Sequence, residues 1–262
     1  KECTNNGKIT LDDTVISTSE SVCAAGITGY ISNDDGYVEK CTNNAAISVE
    51  GTATAMDCFI GGIVGACNGS IYDCTNTVKG SITSLIAAKT NYVGGICGSS
   101  NQNSKILRNT NRGQINYHVN ATRDGDDNGR LSYIGGITSC GRGEVSDNAN
   151  YGSIYSTSSA KMIYIGGIVG IAASDAPIVM KNNYNDKDVV LESTGKGRYV
   201  YVGGLIGFYN YASGAAVFDF SEDTGSILGT IRCNNCEAKA EATYTYVAIG
   251  GYIGRTAGDS NV

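Results

Sequence analysis

Short runs in which apolar residues alternate with polar or small ones recur along the whole chain. NYVGGICG, YVYVGGLIG, INYHVNAT and VVLEST put β-branched and aromatic residues at a period of two, the signature of half-buried strands. No window long enough for a helix sustains an i, i+3, i+4, i+7 apolar stripe free of glycine. The pattern therefore predicts an all-β chain.

The strand-like runs belong to one repeated unit. A Gly-Gly-aliphatic run occurs at Gly61-Gly62, Gly94-Gly95, Gly135-Gly136, Gly166-Gly167, Gly203-Gly204 and Gly250-Gly251, with Ala25-Gly26 as a degenerate first copy. A second anchor, Cys/Asn-x-Asn-x-x-x-Ile, alternates strictly with it: CTNNGKI from Cys3, CTNNAAI from Cys41, NTNRGQI from Asn109, NANYGSI from Asn148 and NYNDKDV from Asn183. CTNTVKGSI from Cys74 carries extra residues, and SEDTGSI from Ser221 is looser. A period in this range is the mark of a solenoid. Length varies between the anchor isoleucine and the next glycine pair, as expected of loops leaving a fixed coil. The expectation is a single domain over residues 1–262: a right-handed parallel β-helix of about seven coils.

In such a coil, equivalent residues of successive turns stack about 4.8 Å apart. An aromatic-aliphatic pair precedes most glycine pairs (Phe59-Ile60, Tyr92-Val93, Tyr133-Ile134, Tyr164-Ile165, Tyr201-Val202), which predicts an aromatic column beside a glycine column. The glycines leave room for that column and permit the tight corner between faces. Cys3, Cys41 and Cys74 share an anchor position with Asn109, Asn148 and Asn183. This reads as a ladder of thiols continued by asparagines, with a disulfide rung between neighbouring turns as the alternative.

Composition narrows the function classes. Glycine, 36 of 262 residues, is about twice its average usage, yet there is one proline and no Gly-X-Y period, so collagen is excluded. The net charge of −6 and dispersed Lys and Arg argue against nucleic acid as a partner. No stretch approaches the roughly 20 apolar residues of a membrane-spanning helix. Lys1 opens no export signal, and the chain starts inside a repeat, as a piece of a longer protein would.

FIGGIVGACNGSIYDCTNTVKGSI, from Phe59, closely resembles the GLUG motif: Gly61-Gly62-Ile63-Val64-Gly65, Asn68-Gly69, Ser70-Ile71, Cys74 and Gly80 follow its order. Gly166-Gly167-Ile168-Val169-Gly170 and Gly203-Gly204-Leu205-Ile206-Gly207 match its first half, whereas Gly135-Gly136-Ile137 runs on into TSC. GLUG repeats occur in large secreted or surface-attached bacterial proteins, including adhesin-like proteins. The resemblance implies a β-helical fold, a bacterial secreted or cell-surface setting and an adhesive or accessory role. It carries over no catalytic residues.

Candidate chemistry is sparse. His118, the one histidine, lies in the alternating run INYHVN and cannot supply a two-histidine zinc site. Cys233 and Cys236 form a lone Cys-x-x-Cys, read as a local disulfide or two thiols. In RDGDDNG, Asp124, Asp126 and Asn128 match the opening of a calcium loop, but Gly135 stands where the bidentate Glu belongs, so Ca²⁺ competes with a solvated hairpin tip. The repeat-phased tyrosines are expected to be structural. Tyr199, Tyr209, Tyr211, Tyr244 and Tyr246 fall off that phase and are candidates for stacking on sugar rings or anchoring an interface. The functional expectation is a non-catalytic adhesin-like module whose partner is a surface glycan or a host or bacterial protein. The rivals are a structural stalk and a β-helical polysaccharide-degrading enzyme.

Overall fold

The computed structural model describes residues 1–12, 20–51, 57–119, 130–158, 160–172, 178–194, 199–210, 217–219, 230–233 and 246–257. Every described element is a strand and every strand pairing is parallel, giving five sheets: three of seven strands and two of six. Among the described residues there is no helix long and apolar enough to cross a membrane.

One coil illustrates all. Asp57–Gly61 enters the first sheet, here called the aromatic sheet, and a glycine corner leads to Val64–Cys67 in the exit sheet. Ser70–Tyr72 forms the third sheet, Thr75–Asn76 the asparagine sheet and Ile82–Ser84 the isoleucine sheet, after which Thr90–Gly94 starts the next coil. Each strand hydrogen-bonds to its equivalents one coil away, so the chain is a β-solenoid as the repeat predicts. The paired glycines are vertical neighbours: Ala25 pairs with Gly61, then Gly94, Gly135, Gly166, Gly203 and Gly250 follow in register.

Two anchor assignments shift. Ile154 pairs with Leu191, not Val189, because Asp186-Lys187-Asp188 makes an extra turn closed by the Val189 N–H on the Asp186 carbonyl (3.1 Å). The same device absorbs the extra residues after Cys74, where the Gly80 N–H meets the Thr77 carbonyl at 2.8 Å and Ile82 stays in register. Leu191 in turn pairs with Ile231; Ile227, and the SEDTGSI anchor with it, lies outside the described residues.

The interior is two cores, not one. Ile60, Val93, Ile134 and Ile165 of the aromatic sheet pack with Ile82, Ile115 and Ile154 of the isoleucine sheet. Val64, Cys97 and Val169 of the exit sheet pack with Ile71, Ile106 and Val145 of the third. Fully burying each such side chain stabilises by about 1.5–3 kcal/mol. Between the cores runs a waist. There the second glycine of each pair lies against the asparagine sheet: a methyl carbon added at Gly62, Gly95, Gly136 or Gly167 would overlap the next coil's glycine carbonyl and the amide of Asn76, Asn111, Asn150 or Asn185.

Those asparagines form a continuous ladder. Each Nδ2 donates to the Oδ1 one coil on, from Asn5 through Asn43, Asn76, Asn111 and Asn150 to Asn185, at 2.8–2.9 Å. Nδ2 also donates to a carbonyl at the following turn, so these buried amides are satisfied on both sides. Beside it runs the thiol-asparagine ladder. The N–H groups of Cys3 and Cys41 point at the sulfurs of Cys41 and Cys74 (3.3 Å), and the Cys74 and Asn109 N–H groups donate to Asn109 and Asn148 Oδ1 (2.9 Å). Cys3, Cys23, Cys41, Cys58, Cys67, Cys74, Cys97 and Cys140 are free thiols. Burial pushes Cys58 and Cys74 up to about 12 and Cys97 well above its ordinary range. A maleimide pulse at pH 8 on the native protein is expected to label exposed Cys3, leaving Cys41, Cys58, Cys67, Cys74, Cys97 and Cys140 unmodified until urea unfolds the chain. Peptide mass mapping checks this, and rapid labelling of Cys74 in the native state would contradict the ladder.

Among the described residues, six turns from the third sheet to the asparagine sheet each pass through one left-handed residue that is not glycine: Glu2, Lys40, Asp73, Arg108, Asp147 and Asn182, with φ between 51° and 58°. From Glu2 to Asp147 their charges alternate in sign, and Asn182 is neutral. Arg108 grips Asp73 through Nε and Nη2 at 2.8 and 3.0 Å, and Asn182 donates to Asp147 at 3.2 Å. The Arg108 guanidinium holds the Asp73 carboxyl below its usual range. An L-residue at such a φ costs about 1–2 kcal/mol, partly offset by the freedom glycine regains on unfolding. Lys40→Gly is therefore expected to raise stability by about 0.5–1 kcal/mol, and Lys40→Ala to leave it unchanged, in paired urea titrations.

Candidate functional site

The glycine corner that makes the waist also bends the outer surface inward. Along Asp57–Gly61, Cys58 and Ile60 point into the core, so Phe59 must point out. The aromatic column therefore stands on the outer face: Phe59, Tyr92, Tyr133, Tyr164 and Tyr201 stack ring on ring at 4.7, 5.3, 5.3 and 5.2 Å. The outward positions of the exit sheet face it across a groove. They carry Ala66 and Ser99 in the early coils, Ile171 and Phe208 in the later ones.

This change of size decides where the groove is open. Phe208 fills the late coils, packing on Tyr164 (4.9 Å) and Tyr201 (5.6 Å). Arg255 closes that end, its guanidinium over the Tyr201 ring at 4.9 Å and hydrogen-bonded to the Tyr201 hydroxyl. In the early coils Ala66 and Ser99 leave a cavity of about 430 Å³, walled on one side by Cys23 and Phe59 and on the other by Tyr30, Asn68, Asn101 and Arg142. The polar wall is pre-ordered. Asn68 donates to the Tyr30 hydroxyl (2.9 Å) and the Ser32 carbonyl (3.0 Å), and Asn101 donates to Asn68 Oδ1 (3.4 Å). Arg142 Nη1 reaches the Ser100 carbonyl at 3.5 Å and Cys140 sulfur at 3.3 Å. Burial raises Tyr133 and Tyr164 above the ordinary phenol range, so both keep their hydroxyl protons at neutral pH and remain donors.

The residues singled out from the sequence fall differently. Tyr199 and Tyr246 come together: their rings stack at 5.5 Å, 4° from parallel, two positions before Tyr201 and Ala248 on the same outer face. Tyr246 is 49% exposed. Tyr209 is not with them. It is 6% exposed and packs in the second core, because its neighbour Phe208 takes the outward position. Tyr211 and Tyr244 lie outside the described residues, as do Asp124, Asp126 and Asn128 of the acidic loop and Cys236. Among the described residues no three His, Cys, Asp or Glu side chains converge as metal ligands. His118 Nδ1 bonds Thr157 Oγ1 at 2.7 Å, a contact between neighbouring coils.

Sequence reasoning missed the groove itself. The phased aromatics read as structural columns, and a column they are, but partly exposed at Phe59, Tyr92 and Tyr133. The period-two rule contained the signal: with the adjoining Ile or Val turned inward, the aromatic had to face out. No protein-family model matches the chain, and no curated protein and no solved structure matches it.

Proposed function

We propose that the chain is a non-catalytic binding module of a secreted or cell-surface bacterial protein, and that its ligand is a glycan seated in the early part of the aromatic groove. The observation that carries this reading is the cavity between the Cys23–Phe59 wall and the Tyr30–Asn68–Asn101 wall, of a size that suits a small ligand. Saccharides present apolar ring faces edged by hydroxyls, and this site offers an aromatic and small-residue surface opposite fixed amide and hydroxyl groups. The GLUG-like repeats support the surface setting.

Among the described residues the cavity lining includes no carboxylate and no histidine. Glycoside cleavage by the usual route needs two carboxyl groups across the scissile bond, so the lining favours binding over the degradative reading. The stalk reading draws on the unbroken ladders, which would suit a spacer equally well.

A glycan array with the purified chain separates binder from stalk. Retention of at least one saccharide class is expected, and Phe59→Ala should weaken it about tenfold by removing the end ring of the column. Loss of no signal in Phe59→Ala would place the ligand elsewhere.

A further inference from the structure

The wall column that carries Asn68 and Asn101 in two successive coils carries Arg142 in the next. Among the described residues lining the cavity, Arg142 is the one charged side chain, in a chain whose net charge is −6. Its placement is built. Its N–H donates to Ser100 Oγ (3.1 Å), the single Ser100 hydroxyl proton lies between the carbonyls of Cys140 and Arg142 (3.2 and 3.1 Å from Oγ), and Nη1 is tethered to the Ser100 carbonyl. Gly143, at φ 71°, ends the segment at a position where a side chain would meet the Ser104 carbonyl. The guanidinium is thus fixed at the rim on rigid backbone, not carried on a free loop.

A guanidinium offers five donors in a planar fork that fits a carboxylate, and one held beside fixed amides reads an acidic group next to hydroxyls. We infer that the groove selects a carboxylated sugar, a uronic- or sialic-acid residue, with its carboxylate on Arg142, its hydroxyls on Asn68 and Asn101 and its apolar face toward Phe59. This rests on the glycan-binding reading above and adds the charge of the ligand to it. Asp57 on the facing aromatic wall is a carboxylate whose charge, like that of Arg142, acts on Tyr133; Asp57 is not among the described residues lining the cavity.

The test is calorimetric titration of the full chain with two matched pairs: a glucuronosyl-glucose disaccharide against cellobiose, and sialyllactose against lactose. At least one acidic member is expected to bind about tenfold tighter than its neutral partner, with the preference shrinking as salt rises. Arg142→Gln should bring the pair within about twofold, Arg142→Lys should retain part of the preference, and Asp57→Asn should tighten the acidic member. Equal affinity within both pairs, or a preference that survives Arg142→Gln, overturns the inference while leaving glycan binding intact. Failure of all four sugars to bind overturns both. Thermal melts of each variant confirm that the coils are unchanged.

Discussion

Gly95→Ala is expected to destabilise the protein by about 3–5 kcal/mol, or to prevent folding altogether, although it adds one methyl group. The added carbon would overlap the carbonyl oxygen of Gly136 and the side-chain amide of Asn111. The first of these atoms belongs to the backbone of the next coil and cannot rotate away, so shortening Asn111 does not rescue the variant. The chain itself supports the asymmetry within the pair. Its first glycine is replaced once, by Ala25 in the terminal coil, whereas the second is glycine in all seven copies from Gly26 to Gly251. Urea unfolding monitored by circular dichroism measures the effect. A loss below about 1 kcal/mol would mean that the two cores do not meet at a waist closed by glycine and asparagine.

Asn111→Ala should cost about 2–4 kcal/mol through a different mechanism. Asn111 Oδ1 accepts from Asn76 Nδ2 (2.9 Å) and from the Gly113 N–H (3.1 Å), while its Nδ2 donates to Asn150 Oδ1 (2.9 Å) and the Gly113 carbonyl (3.1 Å). Truncation leaves several of these groups buried without a partner, and the cost is desolvation without replacement. The same substitution at Asn5, on the partly exposed first rung, lets water stand in and should cost under about 1 kcal/mol. The gradient between the two positions, read from urea midpoints, is the measurement. Equal losses at both would show that the amides act individually and not as a buried ladder.

The coil and its register were legible because the repeat is strict: each glycine pair and each anchor asparagine recurs at the same place in the unit, and parallel stacking follows from like sitting on like. The two-residue slip at Val189 and Leu191 was not legible, since both are aliphatic and only the turn at Asp186–Asp188 tells them apart. The waist was hidden for a related reason. Glycine and asparagine anchors read as separate corners, and nothing local states that Gly95 and Asn111 press together from opposite sides. The column Glu2, Lys40, Asp73, Arg108, Asp147 and Asn182 escaped notice because no glycine or Asn-Gly signal marks its left-handed turn, three of the six being residues that seldom adopt it. The groove needed one more inference than the repeat offered: which member of each aromatic-aliphatic pair faces the core. Its open end is set by Ala66 and Ser99, small residues whose meaning appears only opposite a ring.

The asparagine ladder also sets how the protein would answer force. Its bonds, like those of all five sheets, run along the axis on which the coils are stacked, so a pull between the two ends loads every rung of a coil boundary lengthwise. Such a boundary gives way by peeling, one coil at a time from whichever end is held, and each release lengthens the chain by the residues of a single repeat. A chain built this way would yield in steps, and a pull on the first coil would take away the Cys23 and Tyr30 walls of the groove before the later coils gave way.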